Sequence, residues 1–373
     1  MVLLIGNFLP DQQHSMQRFS EMMLRQLRAI NIPARLIQPQ PCLANSLHGA
    51  SAKEWAAYFD KLILFPPRLS RRWLAGVQLV HICDHSNAVY ARFFSNVPVV
   101  VTCHDLLAVR GALGEETDCP ASVTGKLLQR WILSGLRRAA AVVCVSKATA
   151  ADANRLLADK QGTPRINVIE NGLNYEYQPL PETEIIARLA PLQQLQLDRP
   201  FVLHVGSCLR RKNRAGVLRI FALTKEKWNS QLVFAGDPIE AELSATAHEL
   251  GISQRIVEII SPKSELLEAL YNRAHALLFP SRFEGFGWPI AEAQACGCPV
   301  LTSKAAPMSE VAGEAALLRD VTDENGFAQD LLQLRDPGLR AKFRELGLKN
   351  AARFNPRKMA ERYLEIYRQL GAA

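Results

Sequence analysis

The 373-residue sequence lacks several features that define other protein classes. No apolar run approaches the ~20 residues that a helix needs to span a bilayer, so any membrane contact is expected to be peripheral. The eight cysteines have neither the density of a disulfide scaffold nor the spacing of a zinc site. No long Lys/Arg run is present. These absences predict a cytoplasmic protein with no metal site and no nucleic-acid partner.

What is present is the composition of a globular protein with two domains. Hydrophobic residues make up 48% of the chain and charged residues 21%. A chain of this length is expected to form domains of ~150–200 residues, each with its own core. The net charge of +8 suits an enzyme that handles phosphorylated substrates near an anionic membrane. A basic protein without such a partner would explain the charge equally well.

Short β-rich runs alternate with helical patterns in both halves, which predicts α/β domains with mostly parallel sheets. Prolines interrupt the alternation, so an interdomain linker is predicted at 179–199. It separates a domain at 1–178 from a second at 200–352, and a terminal helix at 353–373 is expected to cross back to the first. The fold class predicted is two Rossmann-like domains facing a central cleft, with ligands beyond the strand ends. The strands predicted in the first half are Val2–Ile5, Lys61–Phe65, Val77–Ile82, Val97–Thr102, Ala141–Val145 and Asn167–Ile169.

The most informative stretch begins at Ser281 and reads SRFEGFGWPIAEA. A strand runs into a loop with two glycines, and Pro289 stands where a helix begins. Glycines allow close backbone approach, and the helix N-terminus favours a phosphate. Glu284 and Glu292 flank this turn and could hold the hydroxyl groups on either side of a diphosphate. A capped turn with two solvated glutamates is the alternative.

A second loop reads HVGSCLRRKNR from His204 and joins a strand to a helix. Its four cations around a glycine form a candidate diphosphate clamp, although a solvated basic loop is the more common meaning of such a run.

Together these segments resemble the retaining glycosyltransferases of the GT-B fold, family 4. Their C-terminal domain carries a glycine loop followed by a lysine, and an E-x7-E motif that usually reads EGFGxPxxEA. The EGFG and the proline match residue for residue, and further similar stretches include VIENG at Val168 and ACGCPV at Ala295. The resemblance covers most of the chain and is strongest from about residue 140 onward.

The resemblance implies roles for residues of the second domain. Glu292 would bind the ribose of a nucleotide sugar, and Glu284 would contact the donor sugar. Lys212 would neutralise the leaving diphosphate. Many relatives have an arginine where this chain has Ser207, and either Arg210 or Arg211 could replace its charge. The remaining residues expected to bind the donor phosphates are Gly206, Gly285, Phe286 and Gly287.

In the first half, the strand ending at Cys103 is followed by His104 and Asp105. His104 is similar to the family's strand-end histidine, which reaches the donor sugar. Asp105 could orient the imidazole or cap the next turn. Where relatives have a Gly-Gly turn, this chain has a longer polar loop from Asn7 to Met16. Ser15 of this loop and Asp105 are the acceptor-side candidates.

These observations predict a retaining glycosyltransferase that needs neither a metal ion nor a cofactor. The donor expected is a nucleotide-diphosphate sugar, with GDP-mannose favoured and a UDP-hexose next. The acceptor expected is a glycan or a lipid-linked oligosaccharide in surface polysaccharide synthesis, reached at the inner face of the membrane. One rival hypothesis is another enzyme of the same fold, a nucleotide-sugar 2-epimerase or a phosphorylase. The other is a degenerate subunit that binds a nucleotide sugar without catalysis.

Overall fold

The chain folds into two compact units. The computed structural model describes residues 1–11, 13–43, 50–69, 74–158 and 163–372. The first unit contains Met1–Asn174 together with Asn355–Ala373, and the second contains Tyr175–Phe354. No helix within those ranges is long and apolar enough to cross a bilayer.

The first unit is built on a six-stranded parallel sheet. Its strands are β1 (Val2–Ile5), β2 (Ala34–Ile37), β3 (Leu79–Ile82), β4 (Val99–Cys103), β5 (Ala141–Cys144) and β6 (Arg165–Val168). Their order across the sheet is β2-β1-β3-β4-β5-β6. The central strands are fully buried, as where Val101 lies beside Val142. Such uninterrupted apolar strands are typical of parallel sheets that are covered on both faces.

The second unit contains a sheet of the same size and kind. Its strands are β7 (Phe201–Gly206), β8 (Gln231–Gly236), β9 (Ile256–Ile260), β10 (Ala276–Phe279), β11 (Val300–Ser303) and β12 (Ala316–Arg319). Their order is β12-β11-β10-β7-β8-β9. The core of this unit includes Val202, Leu232 and Leu278, all fully buried.

Helices connect and cover the strands of both sheets. In chain order they are α1 (His14–Ala29), α2 (Ala50–Phe59), α3 (Leu107–Ala112), α4 (Val123–Arg137), α5 (Lys147–Leu157), α6 (Glu182–Leu189), α7 (Arg214–Ala222), α8 (Ala241–Glu249), α9 (Ser264–Arg273), α10 (Trp288–Ala295), α11 (Met308–Ala312), α12 (Glu324–Gln333), α13 (Pro337–Ala351) and α14 (Pro356–Gln369). The last helix, α14, belongs to the first unit. Its Tyr363 hydroxyl lies 2.8 Å from Thr102 Oγ1, and its Tyr367 hydroxyl lies 2.7 Å from His81 Nδ1. These buried contacts attach α14 to β3 and β4.

The strands differ from the sequence-based expectations in three places. The segment predicted as a strand at Lys61–Phe65 lies in a π-helical turn, Asp60–Leu64, that continues α2. A short apolar run does not by itself distinguish a strand from a helix, which explains the error. The strands β2 and β12 were not predicted, and both are edge strands. Neither gives a run of buried apolar residues, since β2 has one buried position and β12 has none.

The segment predicted as a linker at 179–199 is also more ordered than its prolines suggest. It contains α6 and belongs to the second unit, whose limits are at residues 175 and 354. Arg188 of α6 donates to the Glu268 carboxylate at 2.7 Å, and the backbone N–H of Gln178 donates to the same side chain at 3.0 Å. Side chains of α9 therefore hold this segment in place.

Candidate functional site

Parallel α/β sheets bind ligands where the strand order reverses, because the loops on either side of that point diverge and leave a crevice. In the second unit this point lies between β7 and β10. The loop after β7 carries the cationic run, and the loop after β10 carries Glu284. The backbone N–H of Arg282 donates to the Arg211 carbonyl at 2.8 Å, and Asn213 Nδ2 donates to the Pro280 carbonyl at 3.1 Å. The two loops are thus fixed to each other.

Glu284 lies between two cations at this point. Arg211 Nη1 donates to one carboxylate oxygen at 2.7 Å, and Lys212 Nζ donates to the other at 2.7 Å. Arg211 also donates to the Phe283 carbonyl at 3.0 Å. The Glu284 side chain is only 6% exposed, so the three groups form a largely desolvated charged triad with a net charge of +1. Arg210, the other candidate cation, is exposed.

The two cations of the triad keep the Glu284 carboxyl group ionised. Burial alone would raise the pKa of Glu284, but Lys212 and Arg211 lower it below its ordinary value. Burial lowers the pKa of the Lys212 ammonium group, and Arg211 adds to that effect while Glu284 opposes it. The ammonium group also lies 5.1 Å from the centre of the Phe279 ring. A net positive site with preset charges can stabilise an anion that gains charge during a reaction.

The end of β7 brings backbone close to this triad. If Gly206 carried a side chain, its Cβ would lie 3.4 Å from the Lys212 side chain. A Cβ on Gly236 would lie only 2.2 Å from the Gly206 carbonyl oxygen, so a larger residue would clash there. Ser207 follows, half-buried. His204 lies beneath the loop, where its Nδ1 lies 2.9 Å from the Leu278 carbonyl oxygen. Burial, aided by Lys212, lowers the pKa of His204 to about 4, so the imidazole is neutral at pH 7.

The glycine turn after Glu284 leads directly into α10. Gly285, Phe286 and Gly287 are buried, and Gly287 has a φ of 102°, a conformation that favours glycine. The Phe286 ring packs edge-to-face with Trp288 and Phe354 at centroid distances of 5.7 and 5.6 Å. This packing fixes the turn at the N-terminus of α10, where a phosphate is favoured by backbone N–H groups.

Glu292 is buried on α10 and is held by a residue that the sequence did not indicate. The Tyr271 hydroxyl of α9 donates to Glu292 Oε2 at 2.9 Å. Burial, together with the Glu292 charge, raises the pKa of Tyr271 well above its ordinary value, so the hydroxyl stays a donor. Tyr271 belongs to an apolar helical pattern, in which a hydrogen-bonding role leaves no separate sequence signal.

In the first unit the strand order reverses between β1 and β3. Asn7 and Asp84 lie just beyond these strands, and both are buried. Asn7 Nδ2 donates to Asp84 Oδ2 at 2.5 Å, and Asn87 Nδ2 donates to Asn7 Oδ1 at 3.2 Å. Asp84 also accepts from the backbone N–H of Ser86 at 3.1 Å. Burial would raise the pKa of Asp84, but the neighbouring His85 holds it well below the usual range.

His104 and Asp105 follow the next strand, β4. His104 is buried, its Nε2 lies 3.0 Å from the Cys83 carbonyl oxygen, and its ring packs edge-to-face on Phe19 at 4.8 Å. Burial lowers the pKa of His104, although Asp84 opposes the change. Asp105 Oδ1 accepts from the backbone N–H of Leu107 at 3.0 Å. Of the two roles considered for Asp105, this contact corresponds to the turn cap.

The polar loop after β1 borders a cavity of about 370 Å³ within the first unit, called here the polar cavity. It is lined by Asn7, Phe8, Asp11, Gln13, Tyr58, Lys61, Leu62, Ser86, Asn87, Val89, Tyr90, Leu128, Gln129 and Ile132. Lys61 Nζ pairs with Asp11 at 2.9 Å and lies 4.8 Å from the Tyr58 ring centre. Ser15 is exposed in the first turn of α1 and is not one of the lining residues.

Comparisons with known proteins identify the family to which these two units belong. Residues 20–177 match the family model Glycosyltransferase Family 4, and residues 190–350 match Glycosyl transferases group 1. The O-antigen chain mannosyltransferase B of Escherichia coli is 30% identical over 188 residues, which are 49% of each chain. The D-inositol 3-phosphate glycosyltransferase of Acidothermus cellulolyticus is 29% identical over 287 residues, 73% of this chain and 62% of that protein. Each match thus spans less than two thirds of the relative.

Solved structures show the same fold over the full length. The sucrose-phosphate synthase from Thermosynechococcus elongatus superposes with a TM-score of 0.76 at 21% identity, covering 99% of this chain and 98% of that one. The two family models match most of the chain, one in each half. The fold and the enzyme class predicted from the sequence are therefore confirmed, and the chain belongs to the glycosyltransferases of the GT-B fold.

Proposed function

We propose that the chain transfers a hexose from a nucleotide-diphosphate sugar to a glycan or a lipid-linked oligosaccharide in surface polysaccharide synthesis. The reaction proceeds with retention of configuration and without a metal ion or cofactor. The observation that carries this proposal is the triad of Glu284, Arg211 and Lys212 at the switch point of the second sheet. Such a desolvated site of net charge +1 suits a diphosphate leaving group.

In this proposal the protein acts by orientation and electrostatics. The acceptor hydroxyl oxygen approaches the anomeric carbon on the face that the diphosphate leaves, and it bonds to that carbon as the bond to the diphosphate breaks. The hydroxyl proton passes to the departing phosphate oxygen, and the same-face attack retains the configuration. Lys212 and Arg211 stabilise the charge on the diphosphate, and Glu284 positions the cations and contacts the sugar. Glu292 binds the ribose, and the backbone of Gly285, Phe286 and Gly287 holds phosphate. His104 has the role that the resemblance implies, which is contact with the donor sugar.

For the donor we favour GDP-mannose, with a UDP-hexose as the alternative. The resemblance of the cationic loop and the EGFG segment to bacterial polysaccharide mannosyltransferases supports this choice. So does the name of the Escherichia coli relative, an O-antigen chain mannosyltransferase. We place the enzyme in the cytoplasm, at the inner face of the membrane, where a lipid-linked acceptor would be met.

The test is a thermal-shift panel of GDP, UDP, ADP and dTDP sugars in the presence of EDTA, followed by turnover of the best donor. A selective stabilisation by one donor, and a loss of turnover of about 10²-fold in Lys212→Ala, are expected. Lys304→Ala is the matched control, because Lys304 forms an exposed ion pair with Asp320 in the same unit. Equal turnover in the two variants would contradict the assignment of Lys212.

The second candidate function is a non-catalytic subunit that binds a nucleotide sugar. Ser207, which stands where many relatives have an arginine, is the observation that favours it. The two candidates differ in one result: selective donor binding without transfer or hydrolysis, across glycan and lipid-linked acceptors, would support the binding subunit.

A further inference from the structure

The N-terminal half of α4 exposes apolar side chains next to cations. Val123 and Leu127, four residues apart on one side of the helix, are 85% and 69% exposed. Lys126 and Arg130 are exposed beside them. Val123–Arg137 contains no Asp or Glu, and only the later turns of the helix contribute buried side chains to the core. This half of α4 therefore presents a mixed apolar and basic surface.

A second exposed apolar strip runs along α2 and the π-helical turn that follows it. Trp55 is 71% exposed, Tyr58 42% and Ile63 54%. The Trp55 and Tyr58 rings lie 6.5 Å apart, one turn from each other on the helix. Asp60, which lies between them and Ile63 in sequence, is buried and accepts from the backbone N–H of Leu43. Its carboxylate therefore does not present a negative charge on this strip.

The segments that carry the two strips meet at the polar cavity. Tyr58 and Lys61 line the polar cavity together with Leu128 of α4, the residue next to Leu127. Ile63 lines an adjoining apolar groove of about 640 Å³ with Phe93, which is itself 40% exposed. We call the surface formed by Trp55, Tyr58, Ile63, Val123, Lys126 and Leu127 the apolar–basic face.

The second unit shows a different distribution of exposed apolar groups. Within the described ranges, every large aromatic side chain that is more than a third exposed lies in the first unit. The second unit exposes only separate aliphatic side chains at the same level: Ile186, Leu209, Leu223, Ile260 and Leu318. Separate exposed aliphatic residues are ordinary, whereas a cluster with aromatic residues indicates an interaction surface.

We propose that the apolar–basic face docks the protein on the surface of an anionic lipid bilayer. Trp and Tyr rings favour the depth of the lipid headgroups, and aliphatic side chains such as Val123 and Leu127 gain by burial in the acyl region. Lys126 and Arg130 are attracted to anionic headgroups. The inference rests on the proposed function, because the polar cavity borders this face and would receive the polar part of a lipid-linked acceptor.

The test is co-sedimentation of the full chain with vesicles of phosphatidylcholine, with and without phosphatidylglycerol. The full chain is expected to bind the anionic vesicles, and added salt should weaken the binding. The double variant Val123→Ser/Leu127→Ser should bind at least about tenfold more weakly. The matched control is Ile260→Ser/Leu318→Ser, which removes two exposed aliphatic residues from the second unit and should bind as the unaltered chain does. Lys126→Gln/Arg130→Gln should weaken binding only to the anionic vesicles.

Three results would overturn the inference. The first is equal vesicle binding by the α4 variant and the control, and the second is no binding by the unaltered chain. The third is a dimer, seen by light scattering, that is lost in the α4 variant while vesicles are not bound, which would make the face a self-association surface. The donor thermal shift is measured on the same samples. Vesicle binding without any donor shift would contradict the proposed function and leave the docking surface supported.

Discussion

The two units have sheets of the same size but place different chemistry where the strand order reverses. In the second unit the loops at this point carry a charged triad, with Glu284 between Arg211 and Lys212. In the first unit the corresponding loops carry a network of Asn7, Asp84 and neighbouring amide and hydroxyl groups. Excess positive charge suits a phosphate, whereas amides beside a polar cavity suit a ligand with hydroxyl groups. The same scaffold thus places chemically different groups at its two points of strand-order reversal.

The largest effect is expected from removing the charge at the centre of the triad. Glu284→Gln keeps the shape of the side chain but leaves Arg211 and Lys212 without their common counterion in a largely desolvated site. Turnover should fall by about 10²-fold or more, because the cations lose their fixed positions. Steady-state kinetics with the donor identified by thermal shift would measure the change. Glu324→Gln, in a more exposed pair with Arg219 in the same unit, is the control and should retain turnover.

In the first unit we expect the buried Asp84 carboxylate to stabilise the fold. Asp84→Ala would leave Asn7 Nδ2 and the Ser86 N–H without their buried acceptor. The free energy of unfolding should fall by about 3 kcal/mol, which urea denaturation would measure. Asp11→Ala removes a half-exposed carboxylate from the same unit and should cost less than about 1 kcal/mol. Equal losses in the two variants would contradict the structural role given to Asp84.

A third prediction concerns the hydroxyl group that holds Glu292. Tyr271→Phe removes one buried hydrogen bond to this carboxylate and leaves the ring packing in place. Donor affinity should weaken by about tenfold, because Glu292 loses its orientation, while the turnover number changes little. A donor titration followed by thermal shift would measure the affinity, and steady-state kinetics would measure the turnover number. A fall in turnover with unchanged affinity would mean that Tyr271 acts on the reacting groups instead.

The sequence predicted much of the second site because its signal is local. The E-x7-E spacing and the glycine turn lie within one strand-to-helix segment, and the cations lie in another. Arg211, one of two open candidates, could be distinguished from Arg210 only by geometry. The contact of Asp84 with Asn7 and that of Tyr271 with Glu292 could not be read from the chain, since the partners are 77 and 21 residues apart.

The errors in the predicted fold also have physical causes. The Lys61–Phe65 segment is apolar enough for a strand. It directly follows α2, however, and Asp60–Leu64 continues that helix as a π-helical turn. Strands β2 and β12 each have a strand neighbour on one side only. Only one residue of β2 and none of β12 is buried, so the apolar pattern that marks a strand is weak there. Central strands, buried on both faces, were all found as apolar runs, and so were parts of the edge strands β6 and β9.

The last prediction tests a neutral group beneath the charged triad. His204 is fully buried between Phe234 and Phe279, and its pKa is lowered from 6.5 to about 4. Between these two values the unfolded chain binds a proton that the folded chain does not. Stability contributed by the neutral imidazole is therefore complete above pH 6.5 and falls as the pH drops toward 4.

His204→Phe fills the same space without a titrating group, so it should remove part of this acid sensitivity. From pH 6 to pH 4.5, the unfolding free energy of the unaltered chain should fall by about 1.4 kcal/mol per pH unit more steeply than that of the variant. Urea denaturation at several pH values would measure both slopes, and any constant loss from the missing Leu278 hydrogen bond cancels in the comparison. Parallel curves would show that His204 titrates alike in the folded and unfolded chain, and would contradict the neutral state assigned to it.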